Sequence, residues 1–268
     1  MGEQSKVLLH PSAIVDPGAE LAADVQVGPY TVIGPGVRIG SGTRIESHVV
    51  LAGDTKIGRN NRIFSFCAIG TEPQDKKYAG EPTQLVIGDG NTIREYCLFN
   101  VGTVQGGGVT RIGSDNWIMG HAHIAHDCEV GDHTIIANGV PLGGHVRVGD
   151  WAIIGGTSAV HQFVRVGAHS MCGGGTILTQ DLPPFVMCNG VPAKAHGLNV
   201  EGLKRRNFSD DSIAALRRAY RLLYRDNLPL IEARAALAAL IAECSDEVAG
   251  PLQQLAQFLA EPGRGIVR

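Results

Sequence analysis

The chain is short of aromatic residues, of net charge and of long apolar runs, and each shortage excludes something. Phe, Trp and Tyr make up only 5% of its 268 residues, although apolar residues reach 44%. A core with so few rings must be thin and filled by aliphatic side chains. The 23 Lys and Arg against 26 Asp and Glu leave a formal net charge of −3. That balance does not suggest a nucleic-acid surface. No apolar run reaches the length of about 18 residues that a membrane span needs. The N-terminus has no basic start followed by an apolar stretch, so no secretory signal is visible. A cytoplasmic protein is expected. The six cysteines lack C-x-x-C spacing, so they form no recognisable thiolate metal or redox motif.

What is present in excess is glycine, at 36 residues, and a period of six. From Leu9 every sixth residue to Ile69 is aliphatic: Val15, Leu21, Val27, Ile33, Ile39, Ile45, Leu51, Ile57 and Ile63 lie between. The phase returns at Ile87, Ile93 and Phe99, slips by one, and resumes at Ile112, running to Leu178. Neither a helix nor an alternating strand has this period, whereas a hexapeptide β-helix does. Gly often follows the aliphatic residue (Gly28, Gly34, Gly40, Gly58), where it is expected to take backbone angles other residues avoid. The fourth residue after the aliphatic one is small or β-branched (Ala13, Val25, Thr31, Thr43, Thr134, Val140). Three such sides close one coil of about 18 residues. Cys67, Cys97 and Cys128 hold the small position and Cys172 an aliphatic one, as core residues of a reducing compartment do.

Two stretches interrupt the hexads. The stretch Thr71 to Gln84 preserves the phase, since Ile69 and Ile87 lie three hexads apart, while Thr103 to Thr110, with its Gly triplet, shifts it by one. Loops leaving a rigid scaffold commonly carry function. After Leu182-Pro-Pro184 the pattern becomes helical. Ser209 caps a run with Ile213, Leu216, Tyr220 and Leu223, a second helix lies around 230–242, and Ser245 caps a third with Leu252, Leu255 and Leu259. Arg217, Arg221 and Arg225 share one helix face. That face reads either as a solvated surface or as a dock for an acidic partner.

The densest chemical cluster is His121-Ala-His-Ile-Ala-His126-Asp-Cys128. Three readings stay open: a metal site, a general base His126 beside the carboxylate of Asp127, or surface histidines. A coil of about 18 residues places 144 and 162 over position 126. His145 and His161 are each one residue from those places, so a stripe of His126, His145 and His161 is expected on one edge, with Gly143 and Gly144 beside it. A backbone N–H there can hold an oxyanion. Base, imidazoles and free N–H are the parts that acyl transfer to a hydroxyl requires.

The stretches IGTEPQDKKYAGEPT (69–83), GTVQGGG (102–108), HIAHDC (123–128), GGHV (143–146), IIGGTSAVHQF (153–163) and LNVEGLKRRNFS (198–209) resemble those of the UDP-N-acetylglucosamine 3-O-acyltransferase family, which starts lipid A synthesis in Gram-negative bacteria. The likeness covers essentially the whole chain. It implies an all-β left-handed parallel β-helix over 1–190, with loop insertions at 71–86 and 103–111, followed by a small α-helical C-terminal domain over 191–268. It implies transfer of an (R)-3-hydroxyacyl group from acyl carrier protein to the sugar, with no cofactor and no metal, in a homotrimer with sites between subunits. The resemblance gives His126 the role of base, Asp127 that of orienting carboxylate, and the Gly144 N–H that of oxyanion donor. His123, His145, His161 and Gln162 match substrate contacts. Gln74, Asp75 and Lys77 match a loop reaching in from a neighbouring subunit, and Asn199 and Arg205 the nucleotide end. Gly174 falls at the acyl-length ruler, where a glycine implies a longer chain. The chain departs from the family at Val101, often Arg, and at Pro192, sometimes His. A related N-acyltransferase carries an extra N-terminal domain, for which hexads starting at residue 9 leave no room. A γ-type carbonic anhydrase, a zinc lyase on the same scaffold, is the alternative from another class.

Overall fold

The computed structural model describes residues 8–261 and 263–268; of the lead-in expected at 1–8, only Leu8 lies among them. Each hexad forms a short strand, mostly of two residues, as at Ile14–Val15, Glu20–Leu21 and Gln26–Val27. Each strand pairs in parallel with the one a coil further on: Leu9 with Val27, Val15 with Ile33, Leu21 with Ile39. The described strands collect into three sheets of 11, 9 and 8 strands, the sides of a prism.

The aliphatic residue of each hexad points inward. Ile33, Ile63, Ile69, Ile93, Ile118, Ile124 and Ile136 are all 1% exposed or less, each contributing about 1.5–3 kcal/mol of burial. Small residues beside them are buried too, and the hydroxyls of Thr31 and Thr43 are satisfied by backbone: Thr31 Oγ1 donates to Glu46 O at 2.7 Å and Thr43 Oγ1 to Gly58 O at 2.9 Å. The five cysteines buried in this core are free thiols.

The glycine after the aliphatic residue has a different role from the one its conformational freedom suggests. Positive φ falls two residues later, at Tyr30, His48, Phe66, Asp127 and His145 among others, and Gly28 and Gly40 do not share it. Gly28 is needed because a Cβ there would lie 2.7 Å from the backbone of Glu46 in the next coil. The constraint there is close approach between coils, whereas Gly70 after Ile69 does take φ +80°.

The loops appear as overlong coils. Gln84 pairs with Asp54, 30 residues back, and Val109 with Gln84, 25 back. A surplus of twelve keeps the hexad phase and a surplus of seven shifts it by one. The excursions proper lie between the strands Ala68–Thr71 and Gln84–Ile87, and between Leu98–Asn100 and Val109–Ile112. The second holds a 3-10 turn at Val104–Gly106.

At its far end the stack is closed by an antiparallel hairpin, Val186–Asn189 with Lys194–Leu198, which spans the boundary expected at 190. Helices α1 (Val200–Arg205), α2 (Asp210–Tyr224), α3 (Leu230–Ala242) and α4 (Asp246–Ala260) follow. Ser209 caps α2 by accepting from Ser212 N–H, whereas Ser245 stands at the N-cap of α4 without a side-chain hydrogen bond. Ile213, Leu216, Leu223, Leu252, Leu255 and Leu259 form a second core that takes in Phe185 from the last coil. Arg165 ties the two parts: Nε and Nη2 reach the buried Asp181 Oδ2 at 3.0 and 2.8 Å, and Nη1 reaches Glu261 at 3.1 Å.

Candidate active site

His126 and Asp127 turn the corner between the strands His123–Ile124 and Glu129–Val130. Asp127 takes φ +59°, and its side chain is 1% exposed against 15% for His126. His126 Nδ1 lies 2.8 Å from Asp127 Oδ2. A carboxylate at that nitrogen keeps the proton on Nδ1 and leaves the Nε2 lone pair free to accept one. The carboxylate is itself fixed: Oδ1 accepts Thr103 N–H at 2.8 Å, Oδ2 accepts the Thr103 hydroxyl at 2.6 Å, and Asp127 N–H donates to Thr110 Oγ1 at 2.8 Å.

The next coil supplies the other wall. His145 N–H donates to His126 O at 3.0 Å. The two imidazoles meet edge to face with centroids 5.2 Å apart, and His145 Nε2 lies 3.7 Å from Asp127 Oδ2. Burial holds the affinity of His145 for protons below the ordinary histidine range, with His126 acting the same way and Asp127 and Asp75 opposing. His123 is likewise held down, by burial first and then by His126; its Nε2 is 3.0 Å from Asn100 Oδ1. Gly144 sits against the His126 ring: a Cβ there would lie 2.6 Å from Cε1 and 2.7 Å from Nε2. Its N–H has no protein acceptor among the described residues.

The third ring above His145 is Phe163, stacked at 4.4 Å. Asp127, His145 and Phe163 take the same corner with φ of 59°, 61° and 65°. The expected stripe of three histidines is thus corrected to a pair topped by a phenylalanine. His161 lies outside that column and is exposed like its neighbour Gln162; its Nδ1 lies 3.0 Å from Gln162 O.

The C-terminal part, residues 181–267, matches the family model described as UDP-N-acetylglucosamine O-acyltransferase, domain 2, and residues 110–140 match the bacterial transferase hexapeptide model. The acyl-[acyl-carrier-protein]–UDP-N-acetylglucosamine O-acyltransferase of Thiobacillus denitrificans is 58% identical over 97% of this chain and 99% of its own. The chain belongs to the UDP-N-acetylglucosamine O-acyltransferase family. Among solved structures, LpxA of Acinetobacter baumannii superposes with a TM-score of 0.91 at 46% identity, covering 97% of this chain and all of that one. The Moraxella catarrhalis UDP-N-acetylglucosamine O-acyltransferase gives 0.92 at 45%, over 97% of this chain and 99% of that one. The family sets aside the carbonic anhydrase alternative. The donors of His126, Asp127 and His145 do fall within 4.8 Å of one another, but both Asp127 oxygens already accept protons from Thr103 and His126.

The remaining family positions are spread around this centre. Gln74 and Lys77 are exposed on the first loop; Asp75 Oδ1 caps the local turn by accepting Lys77 N–H at 3.0 Å. Within its own chain Asp75 acts weakly on His145, as the last of the influences that set its affinity for protons. Gly174 is exposed, and a Cβ there would lie 3.3 Å from Gly156 O. Arg205 is exposed at the end of α1. Asn199 is only 4% exposed and its amide is occupied: Oδ1 caps α1 by accepting Gly202 N–H at 3.2 Å, and Nδ2 donates to His169 O at 3.0 Å. These bonds build the junction to the helices. Val101 is a buried core residue at the foot of the second loop.

Sequence reasoning missed three features. Thr103 appeared only as a loop residue. Phe163 carried no chemical signal. Arg206 packs over Trp151 at 5.1 Å and donates to Trp151 O at 3.1 Å, beside a His169 that burial and Arg206 push down to about 4. A separate cavity of about 650 Å³ lies between the eight-stranded sheet and α4, lined by Arg111, Glu129, Arg147 and Phe258, away from His126. No helix among the described residues is long and apolar enough to cross a membrane. On the basic run, Arg221 pairs with Asp226 at 3.3 Å and Arg218 with Glu243 at 3.2 Å.

Proposed function

We propose that the chain moves an (R)-3-hydroxyacyl group from acyl carrier protein to the 3-hydroxyl of UDP-N-acetylglucosamine, the first step of lipid A synthesis, in the cytoplasm and as a homotrimer. The observation that carries this reading is the 2.8 Å contact of His126 Nδ1 with Asp127 Oδ2, set beside a Gly144 N–H that no described residue accepts. The names of the relatives supply the donor and the acceptor.

The geometry suits direct transfer. An alcohol becomes a useful nucleophile only as its proton leaves. His126 Nε2 takes that proton while the sugar oxygen bonds to the thioester carbon, and the Gly144 N–H faces the resulting oxyanion. Collapse breaks the C–S bond, and the imidazolium returns the proton to the departing carrier thiolate. No covalent enzyme intermediate is needed. Asp127 holds the tautomer and steadies the positive imidazolium. The pair lies at an outer corner of the prism beside the exposed His161, Gln162 and Phe163, a position a neighbouring subunit can wall in. Exchanging His126 for alanine should abolish turnover with a 3-hydroxyacyl carrier thioester while sedimentation still reports the trimer. Near-normal turnover in His126→Ala would remove His126 as the base.

A further inference from the structure

The second loop does more than border the site. Thr103 is 2% exposed and holds both oxygens of Asp127, Oδ1 through its N–H at 2.8 Å and Oδ2 through its hydroxyl at 2.6 Å. A hydroxyl can rotate, but here its direction is set. Thr103 Oγ1 accepts the Gly106 N–H at 3.3 Å as the N-cap of the 3-10 turn, so the hydroxyl proton is left to point at Asp127 Oδ2. That oxygen is the one His126 Nδ1 approaches. Gly106 lies flat on the carboxylate, and any Cβ there would run into Asp127 Cγ and both its oxygens. The turn therefore seals Asp127 from water and adds one directed proton to the oxygen that holds the base.

We propose that Thr103 is a positioning residue of the transfer: by sharing Asp127 Oδ2 with His126, its hydroxyl sets how strongly the carboxylate holds the imidazolium. This rests on the reading of His126 as base. A carboxylate oxygen with one donor fewer is a stronger acceptor for the donor that remains. The charged and titratable groups around His126 are Asp127 on its own corner, His123 on the same coil and His145 on the next coil, with Asp75 from the first loop acting on His145. The Cys128 thiol behind Asp127 is pushed up to about 12 by burial and stays neutral. Apart from Asp127, which loses one donor, none of these groups is touched when the threonine hydroxyl is removed.

The test is the pH profile of kcat/KM for carrier thioester and UDP-N-acetylglucosamine in Thr103→Val and Thr103→Ser, with His126→Ala in parallel. Thr103→Val should move the acid limb upward by about 0.5–1 pH unit, because the imidazolium persists to higher pH once Asp127 grips it harder. Thr103→Ser keeps the hydroxyl and should keep the wild-type limb. Thr103→Ala serves in place of valine if the valine variant does not fold. An acid limb that stays in place in the folded variant, even with lower activity, would make Thr103 a loop-building residue only. Retained turnover in His126→Ala would instead sink the base assignment itself, so the two failures are distinguishable.

Discussion

Gly144→Ala tests the site with a single methyl group. Gly144 does not have positive φ, so alanine meets no backbone penalty and the whole effect falls on the His126 ring. The added Cβ would stand 2.6 Å from Cε1 and 2.7 Å from Nε2, whereas carbon contacts settle at about 3.5–4.0 Å. The ring must retreat by about 1 Å. A retreat of that size disrupts the 2.8 Å bond to Asp127 or turns Nε2 away from the hydroxyl. Misplacement of this order costs about 100-fold in rate, or about 2.7 kcal/mol of transition-state stabilisation. Overpacking costs stability as well, about 1–3 kcal/mol, so activity must be compared below the melting transition. Initial rates with a 3-hydroxyacyl carrier thioester, together with circular dichroism, measure both. A folded Gly144→Ala that keeps a third of wild-type kcat/KM would refute the packing argument and the placing of chemistry at His126.

Three further outcomes are expected. Asp181→Ala strands Arg165, whose side chain is 11% exposed, and should lower unfolding free energy by about 3 kcal/mol; a denaturant series giving less than about 1 kcal/mol would show that Glu261 suffices as partner. His169 sits at about 4 in the fold against an ordinary 6.5, so the unfolded chain takes up its proton first. Its contribution is complete above the unfolded value and is lost as pH falls through the window from 6.5 to 4; melting temperatures of His169→Phe should fall less steeply across that window, and an unchanged slope would exclude His169 as the cause. Gly174→Leu fills an exposed position and should shift the preferred donor to a shorter acyl chain; an unaltered chain-length profile would separate Gly174 from acyl selection.

The solenoid was legible because stacking forces a repeat into the sequence. Each inward Ile must find the one a coil below, so even the loops showed themselves as changes of phase. The His126–Asp127 pair was legible for a related reason, since adjacency and residue type sufficed. Corner geometry was not. A period locates the strands but does not say which residue between them takes positive φ, and that choice put Phe163 rather than His161 above His145. The glycines were misread for the same reason: the next coil's backbone is invisible to a local reading. Helix α1, six residues long, has too few turns to display an amphipathic repeat. Thr103 lies 24 residues from Asp127, and nothing in a loop of Val, Gln and Gly announces a partner that far away.

Strand pairing at one-coil intervals also gives the molecule a unit of length. Anything lying along the outside of the stack is measured in steps of about 4.8 Å, several methylene groups of an extended chain at a time. Gly156 and Gly174 are adjacent marks on that scale. Duplication or loss of a whole coil would move the mark by one full step and leave every corner above and below it unaltered. Finer adjustment is available only through the side chain at a mark, and a glycine leaves the graduation blank.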